Sequence, residues 1–200
     1  MADQQTSLAV QAQDQLTTYT ALDGTDITLS PTIVLQSLVN GAQPEPKDLI
    51  TFIAKCQARK LNPLAGDCYL NAYKSQKTGK VTASVIVSKD YYVRTARNQP
   101  TCKGWQAGIV VINNGNLIYR EGSMVIAGET LVGGWAKVYD ARCDQPATAE
   151  VSLDEYSTGT SLWADKPATM IRKVALVQAL REAYPEMYSG VYDSSEISNE

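Results

Sequence analysis

The side chains of this sequence best suited to chemistry are cations, and the chemistry open to them is the binding of anions. Residues 55–103 carry Lys55, Arg59, Lys60, Lys74, Lys77, Lys80, Lys89, Arg94, Arg97 and Lys103 against only Asp67 and Asp90. Residues 166–181 carry Lys166, Arg172, Lys173 and Arg181 against no acid. The remainder is acidic, so a formal net charge of −3 conceals two positive blocks. Such segregation sets up a local potential that draws a polyanion, of which nucleic acid is the commonest, while a merely solvated basic face is the plainer alternative.

Other chemistries lack their parts. With no histidine in the chain, Ser-His and Cys-His nucleophiles and His-ligated metals drop out together. Cys56, Cys68, Cys102 and Cys143 contain no C-x-x-C pair and read as reduced, partly buried thiols. Gly79-Lys80 is followed by Val81 and lacks the upstream glycine of a phosphate-binding loop. Asp67, Asp154, Glu155 and Asp165 form no recognisable set for a divalent ion. Glu45-Pro46-Lys47 fits the bare E-x-K of one nuclease class, yet at a helix start capping explains it better. The expectation is a protein that is not an enzyme, with no catalytic residue, metal or cofactor.

Elements must carry the cations. Two hundred residues suffice for one domain with frayed ends. Residues 1–29 are polar and aperiodic and are expected to form a mobile N-terminal arm outside the core. Ser30-Pro31 should open a helix to about Asn40, and Leu49, Phe52, Ile53 and Cys56 mark a second between Pro46 and Lys60. Cys68 to Tyr73 and Val81 to Val87 read as a hairpin with lysines at its tip. A short helix should follow Ser88, with Tyr92, Val93 and Ala96 inward. Segments within 108–153, one pair turning at Asn113-Asn-Gly-Asn116, predict a meander of four or five strands. Pro167 to Ala183 should be a helix with Met170, Ile171, Val174, Val177 and Leu180 on its apolar face. On that helix Lys166 and Lys173 fall within roughly 20° and Arg181 about 80° further round, whereas Arg172 points elsewhere. The fold class is α+β, an antiparallel sheet flanked by helices, with a core domain over 30–185 and an acidic tail over 186–200. Apolar runs are too short to span a bilayer, and the start of the chain lacks the basic and apolar parts of a secretory signal, so the cytoplasm is expected.

Several segments together resemble the phage single-strand annealing proteins of the RecT and Redβ group, in the branch called phage recombination protein Bet. They are Lys60-Leu-Asn-Pro63 with Gly66 and Tyr69, Val87-Ser-Lys-Asp-Tyr91 leading to Arg94, Leu131-Val-Gly-Gly-Trp-Ala-Lys-Val-Tyr139, and Trp163 with Pro167, Met170-Ile-Arg-Lys173 and Arg181-Glu-Ala-Tyr-Pro185. Each is common alone; their order and spacing jointly are specific. The resemblance implies ATP-independent annealing of complementary strands by a homo-oligomeric ring or helical filament that holds single-stranded DNA, and the annealed duplex, in a basic groove. It also implies a phage exonuclease and the host single-strand binding protein as partners, in the bacterial cytoplasm.

By position the resemblance implies that Lys74, Arg94, Trp163, Lys173 and Arg181 face the strand. Ala168 and Val174 stand where some relatives are basic, so Lys166, Arg172, Lys77 and Lys80 are candidates to compensate. With Lys89 and Arg97 these complete the candidate DNA-binding set. Trp105 and Trp135, on strands, read as core or subunit contacts, and Trp163 as either core or stacking platform. Asn62, Pro63 and Gly66 read as turn residues that position the hairpin. The rival functions are a sequence-neutral single-strand protector that does not anneal, and a metal-dependent nuclease.

Overall fold

The structure is a computed structural model and describes residues 14–76, 78–160 and 162–188. The chain divides between Ser88 and Lys89 into two compact units, where one core domain over 30–185 is expected from sequence. The first unit holds a two-stranded and a three-stranded sheet and the second a four-stranded sheet, each unit with its own buried side chains.

In the first unit, β1 (Thr17–Thr20) and β2 (Asp26–Leu29) pair antiparallel. The arm expected through Leu29 is therefore ordered from Thr17 onward, with Ile27 and Leu29 buried. A period-2 pattern of two apolar residues is too short to stand out in a polar stretch. Residues 1–13 lie outside the described residues. Ser30 caps α1 (Pro31–Ser37), its hydroxyl accepting the Ile33 N–H at 3.3 Å. This helix stops short of Asn40 because β3 (Val39–Gly41) pairs in parallel with Leu70–Ala72. Gly41 is required there, since a Cβ would fall 2.3 Å from the Ala72 carbonyl oxygen. In α2 (Pro46–Arg59) the expected Leu49, Phe52, Ile53 and Cys56 are the buried residues. The predicted hairpin is β4 (Cys68–Lys74) and β5 (Val81–Val87), with Lys74 opposite Val81.

Asn62 organises the turn between α2 and β4. Its backbone N–H donates to Asp67 at 2.8 Å, its side-chain oxygen accepts the Ala65 N–H at 3.0 Å, and its amide nitrogen donates to Asp23 at 2.8 Å. The Tyr19 hydroxyl donates to the Leu61 carbonyl at 2.6 Å. The β1–β2 hairpin is thus tied to the L-N-P turn.

The second unit holds α3 (Lys89–Arg97) and a four-stranded antiparallel sheet. Its strands are β6 (Cys102–Asn113), β7 (Asn116–Glu121), β8 (Thr130–Asp140) and β9 (Ala147–Ser152), in the order β7-β6-β8-β9. Asn114 and Gly115, both at positive φ, make the predicted turn between β6 and β7. Short helices α4 (Leu153–Tyr156) and α5 (Leu162–Asp165) lead to α6 (Pro167–Ala183), the predicted helix residue for residue, and α7 (Pro185–Tyr188) follows. In α3 the buried residues are Tyr91, Tyr92, Thr95 and Ala96, while Val93 is half-buried.

Helix α6 lies directly on β8. A Cβ at Gly134 would fall 2.6 Å from the Ile171 carbonyl oxygen, so only glycine permits this approach. The helix is consequently enclosed on more sides than an amphipathic stripe requires: Ile171, Val174, Ala175, Leu176, Val177, Ala179 and Leu180 are all buried, while Met170 is only half-buried. Burial of a leucine or isoleucine contributes roughly 1.5–3 kcal/mol. The chain stays packed beyond Pro185, because the buried Tyr188 donates its hydroxyl to the Tyr92 carbonyl at 2.7 Å. Residues 186–188 of the expected tail are therefore packed, and residues 189–200 lie outside the described residues.

Candidate nucleic-acid interface

On the first unit, Lys74 ends β4 and Lys80 precedes β5, so the hairpin places both at one loop. The loop is closed by Ser75 N–H donating to the Lys80 carbonyl at 2.9 Å and Gly79 N–H to the Ser75 carbonyl at 2.8 Å. Both lysines are exposed, and neither forms an ion pair with a described residue. Lys77 lies outside the described residues.

On the second unit, α3 presents Arg94 and Arg97 as exposed side chains. Lys89 pairs with the adjacent Asp90 at 3.3 Å, with both side chains well exposed. A pair of that kind is worth little against solvent and yields readily to a phosphate. Along α6, Lys166 is exposed at the helix start, and Lys173 and Arg181 are half-buried. At 1.5 Å of rise per residue these three extend on the order of 22 Å.

Two expected members of the set are placed otherwise. Arg172 donates its Nε–H to the Ala107 carbonyl at 3.0 Å, across to β6, so it ties α6 to the sheet. Trp163 is only 8% exposed. Its indole belongs to the core of the second unit. Trp135 is structural in the way expected of a strand tryptophan: its Nε1–H donates to the Arg120 carbonyl at 3.3 Å over Gly108.

Outside the positive blocks, three of the four cations are held in ion pairs. Lys47 pairs with Glu45 at 2.6 Å, beside the Glu45 N–H that donates to Asp48, so E-x-K is occupied in opening α2. Arg120 pairs with Glu129. Arg142 binds Asp140 at 2.9 Å and Glu186 at 3.4 Å. The guanidinium, helped by the Arg142 N–H and the Thr101 hydroxyl, holds the Asp140 carboxyl well below the usual carboxylate range. Within the positive blocks, Lys74 and Lys80 on the first unit and Arg97, Lys103 and Lys166 on the second are in no ion pair with a described residue, so each unit carries cations whose field can attract a polyanion.

One feature escapes periodicity altogether. The Arg97 guanidinium carbon sits 5.4 Å from the ring centroid of Trp105, which is half-buried. The strand is irregular between Cys102 and Gly104, and Lys103 there is exposed. A bulge cannot be read from composition, although an arginine and a tryptophan eight residues apart across a turn are a usable signal.

Among the described residues no group of three Cys, Asp or Glu side chains could hold a metal ion. No helix among them is long and apolar enough to cross a membrane.

The sequence matches a model of the RecT family over residues 27–200. It is also 32% identical over 126 residues to "Uncharacterized protein UU154" of Ureaplasma parvum serovar 3 (strain ATCC 700970), a match covering 63% of this chain and 49% of that protein. The chain thus spans about half the length of the curated relative it matches.

Proposed function

The chain belongs to the RecT family, and from that premise we propose that it binds single-stranded DNA by its backbone and promotes pairing of complementary strands in recombination. The observation that carries the reading is the sorting of charge: three of the four cations outside the two positive blocks are held in ion pairs, whereas Lys74, Lys80, Arg97 and Lys166 are in no ion pair with a described residue. Each such cation can neutralise one phosphate and release condensed counterions. Annealing demands that grip on the backbone, because a protein that hydrogen-bonded the base edges would block their pairing. Lys74, Lys80, Lys89, Arg94, Arg97, Lys166, Lys173 and Arg181 are the proposed contacts, and Arg172 and Trp163 support them from within the second unit.

Pairing needs no nucleotide in this account. Base pairing supplies the free energy, and the protein lowers strand repulsion. Repetition of the basic surfaces along a homo-oligomer, as a ring or helical filament, would align many phosphates at once. A phage setting of the Bet branch, an exonuclease that supplies single strands and the host single-strand binding protein complete the proposal, with the bacterial cytoplasm as its location.

The test is the pairing rate of two complementary oligonucleotides without nucleotide or added metal. Acceleration by the protein supports annealing. A slower rate would mean a protector, and degradation of the oligonucleotides on adding magnesium would mean a nuclease.

A further inference from the structure

The half-buried indole of Trp105, near the start of β6, has a cation held over its ring. The register puts Trp105 opposite Val138 and Ala107 opposite Ala136, two residues along the same side of the sheet. That side also carries Gly134, on which α6 rests. Trp105 thus lies on the helix-covered side, next to the last turn of α3, whose Arg97 reaches over it. Arg97 is exposed and in no ion pair with a described residue, and so is Lys103. Arg94 stands one turn earlier on α3, also exposed. The acid opposite the start of β6, Asp140, is consumed by Arg142 and Thr101. Asp90 is seven residues from Arg97, about 10 Å along the helix, and pairs with Lys89. An aromatic ring partly open to solvent, with Arg97 over its face and the exposed Lys103 two residues away in the chain, is what a flexible anionic chain bearing flat bases would recognise.

Resting on the single-strand reading above, we propose that Trp105 and Arg97 form a nucleobase-stacking site, with Lys103 and Arg94 on the flanking phosphates. The guanidinium is planar and weakly hydrated, stacks on aromatic faces, and is exposed to a base on its far side. Stacking uses the flat face of a base and leaves its pairing edge free, so the site is compatible with annealing and indifferent to sequence. Of the two indoles, Trp105 is the more exposed. A purely structural tie between α3 and β6 would not respond to DNA, and the test turns on that difference.

The experiment uses the full chain with an unlabelled oligothymidylate, read by tryptophan emission, and a dye-labelled one, read by anisotropy. Emission of the unsubstituted protein should be quenched on binding. Trp163→Phe should keep that quenching and Trp105→Phe should lose most of it, with affinity reduced less than about fivefold because a phenyl ring still stacks. Trp105→Ala should weaken binding about 5- to 100-fold with the salt slope unchanged. Arg97→Lys, which keeps the charge and loses the planar stack, should bind several-fold more weakly, again at constant slope. Should Trp105→Ala fail to fold by circular dichroism, the Phe and Lys variants decide the matter. Normal anisotropy binding together with undiminished quenching in Trp105→Phe and full affinity in Arg97→Lys would overturn the site while leaving the single-strand reading intact. No anisotropy change in the unsubstituted protein would overturn both.

Discussion

Gly134→Ala isolates the contact that seats α6 on the sheet. The new Cβ would meet the Ile171 carbonyl oxygen at 2.6 Å, its carbon at 2.9 Å and the Arg172 nitrogen at 3.2 Å, where carbon contacts are comfortable only from about 3.5 Å. All three are backbone atoms of a buried helix, so none can swing aside as a side chain would, and the helix must rise by several tenths of an ångström. Overpacking of that kind costs about 1–3 kcal/mol. Replacing glycine lowers the entropy of the unfolded chain and returns about 0.4–1 kcal/mol. The steric effect wins, and a net loss of about 1–2 kcal/mol is expected. Lifting α6 would also strain the bond from Arg172 to the Ala107 carbonyl. Urea unfolding followed by circular dichroism measures the difference directly. Gly104→Ala separates crowding from backbone strain, because that Cβ meets nothing within 4 Å and suffers only from its φ of 105°. A Gly134→Ala protein within about 0.5 kcal/mol of the parent would refute the close seating of α6 on β8.

Other consequences are equally specific. Lys166→Ala should lower the salt slope of single-strand binding by somewhat under one unit at unchanged stability, whereas Arg172→Ala should cost stability by urea unfolding and leave that slope alone. Asn62→Ala removes hydrogen bonds at 2.8 Å to Asp23 and 3.0 Å to Ala65; since one is to a carboxylate, a loss of about 2–3 kcal/mol in the same assay is expected. Asp140 is depressed in the folded state, first by Arg142, so its contribution is fully present above the unfolded carboxylate value near ~4 and is lost as pH falls below that. The stability gap between the parent and Asp140→Asn should therefore be constant from pH 7 to 5 and narrow in more acid solution, as followed by unfolding midpoints against pH.

What the sequence made legible was whatever repeats with a clear period or sits at a strongly typed position. The apolar spacing of Leu49, Phe52, Ile53 and Cys56 located α2, and Asn114-Gly115 located a turn that needs two positive φ angles. Pro167 and the apolar run behind it bounded α6. What stayed hidden depends on contacts between distant residues. Val39–Gly41 left its helix because Leu70–Ala72 offered a parallel ladder. Ile27 and Leu29 joined a core that nothing in their neighbourhood announces. Among the cations, charge counting identified the two blocks, but it could not tell Arg172, bonded to a carbonyl on β6, from Lys166, which is exposed. Nor could it tell that Trp163 is buried and Trp105 only half-buried, for the same reason: burial of an aromatic is decided by what packs on it.

The central claim is that lysine and arginine side chains grip the phosphates of a single strand, and the salt dependence of binding tests it most directly. With five to eight such contacts, the logarithm of the binding constant against the logarithm of salt concentration should slope at about −3.5 to −5.6, a loss of roughly 100- to 2,000-fold between 50 and 200 mM. A slope shallower than about −1 would contradict the account, whatever the affinity.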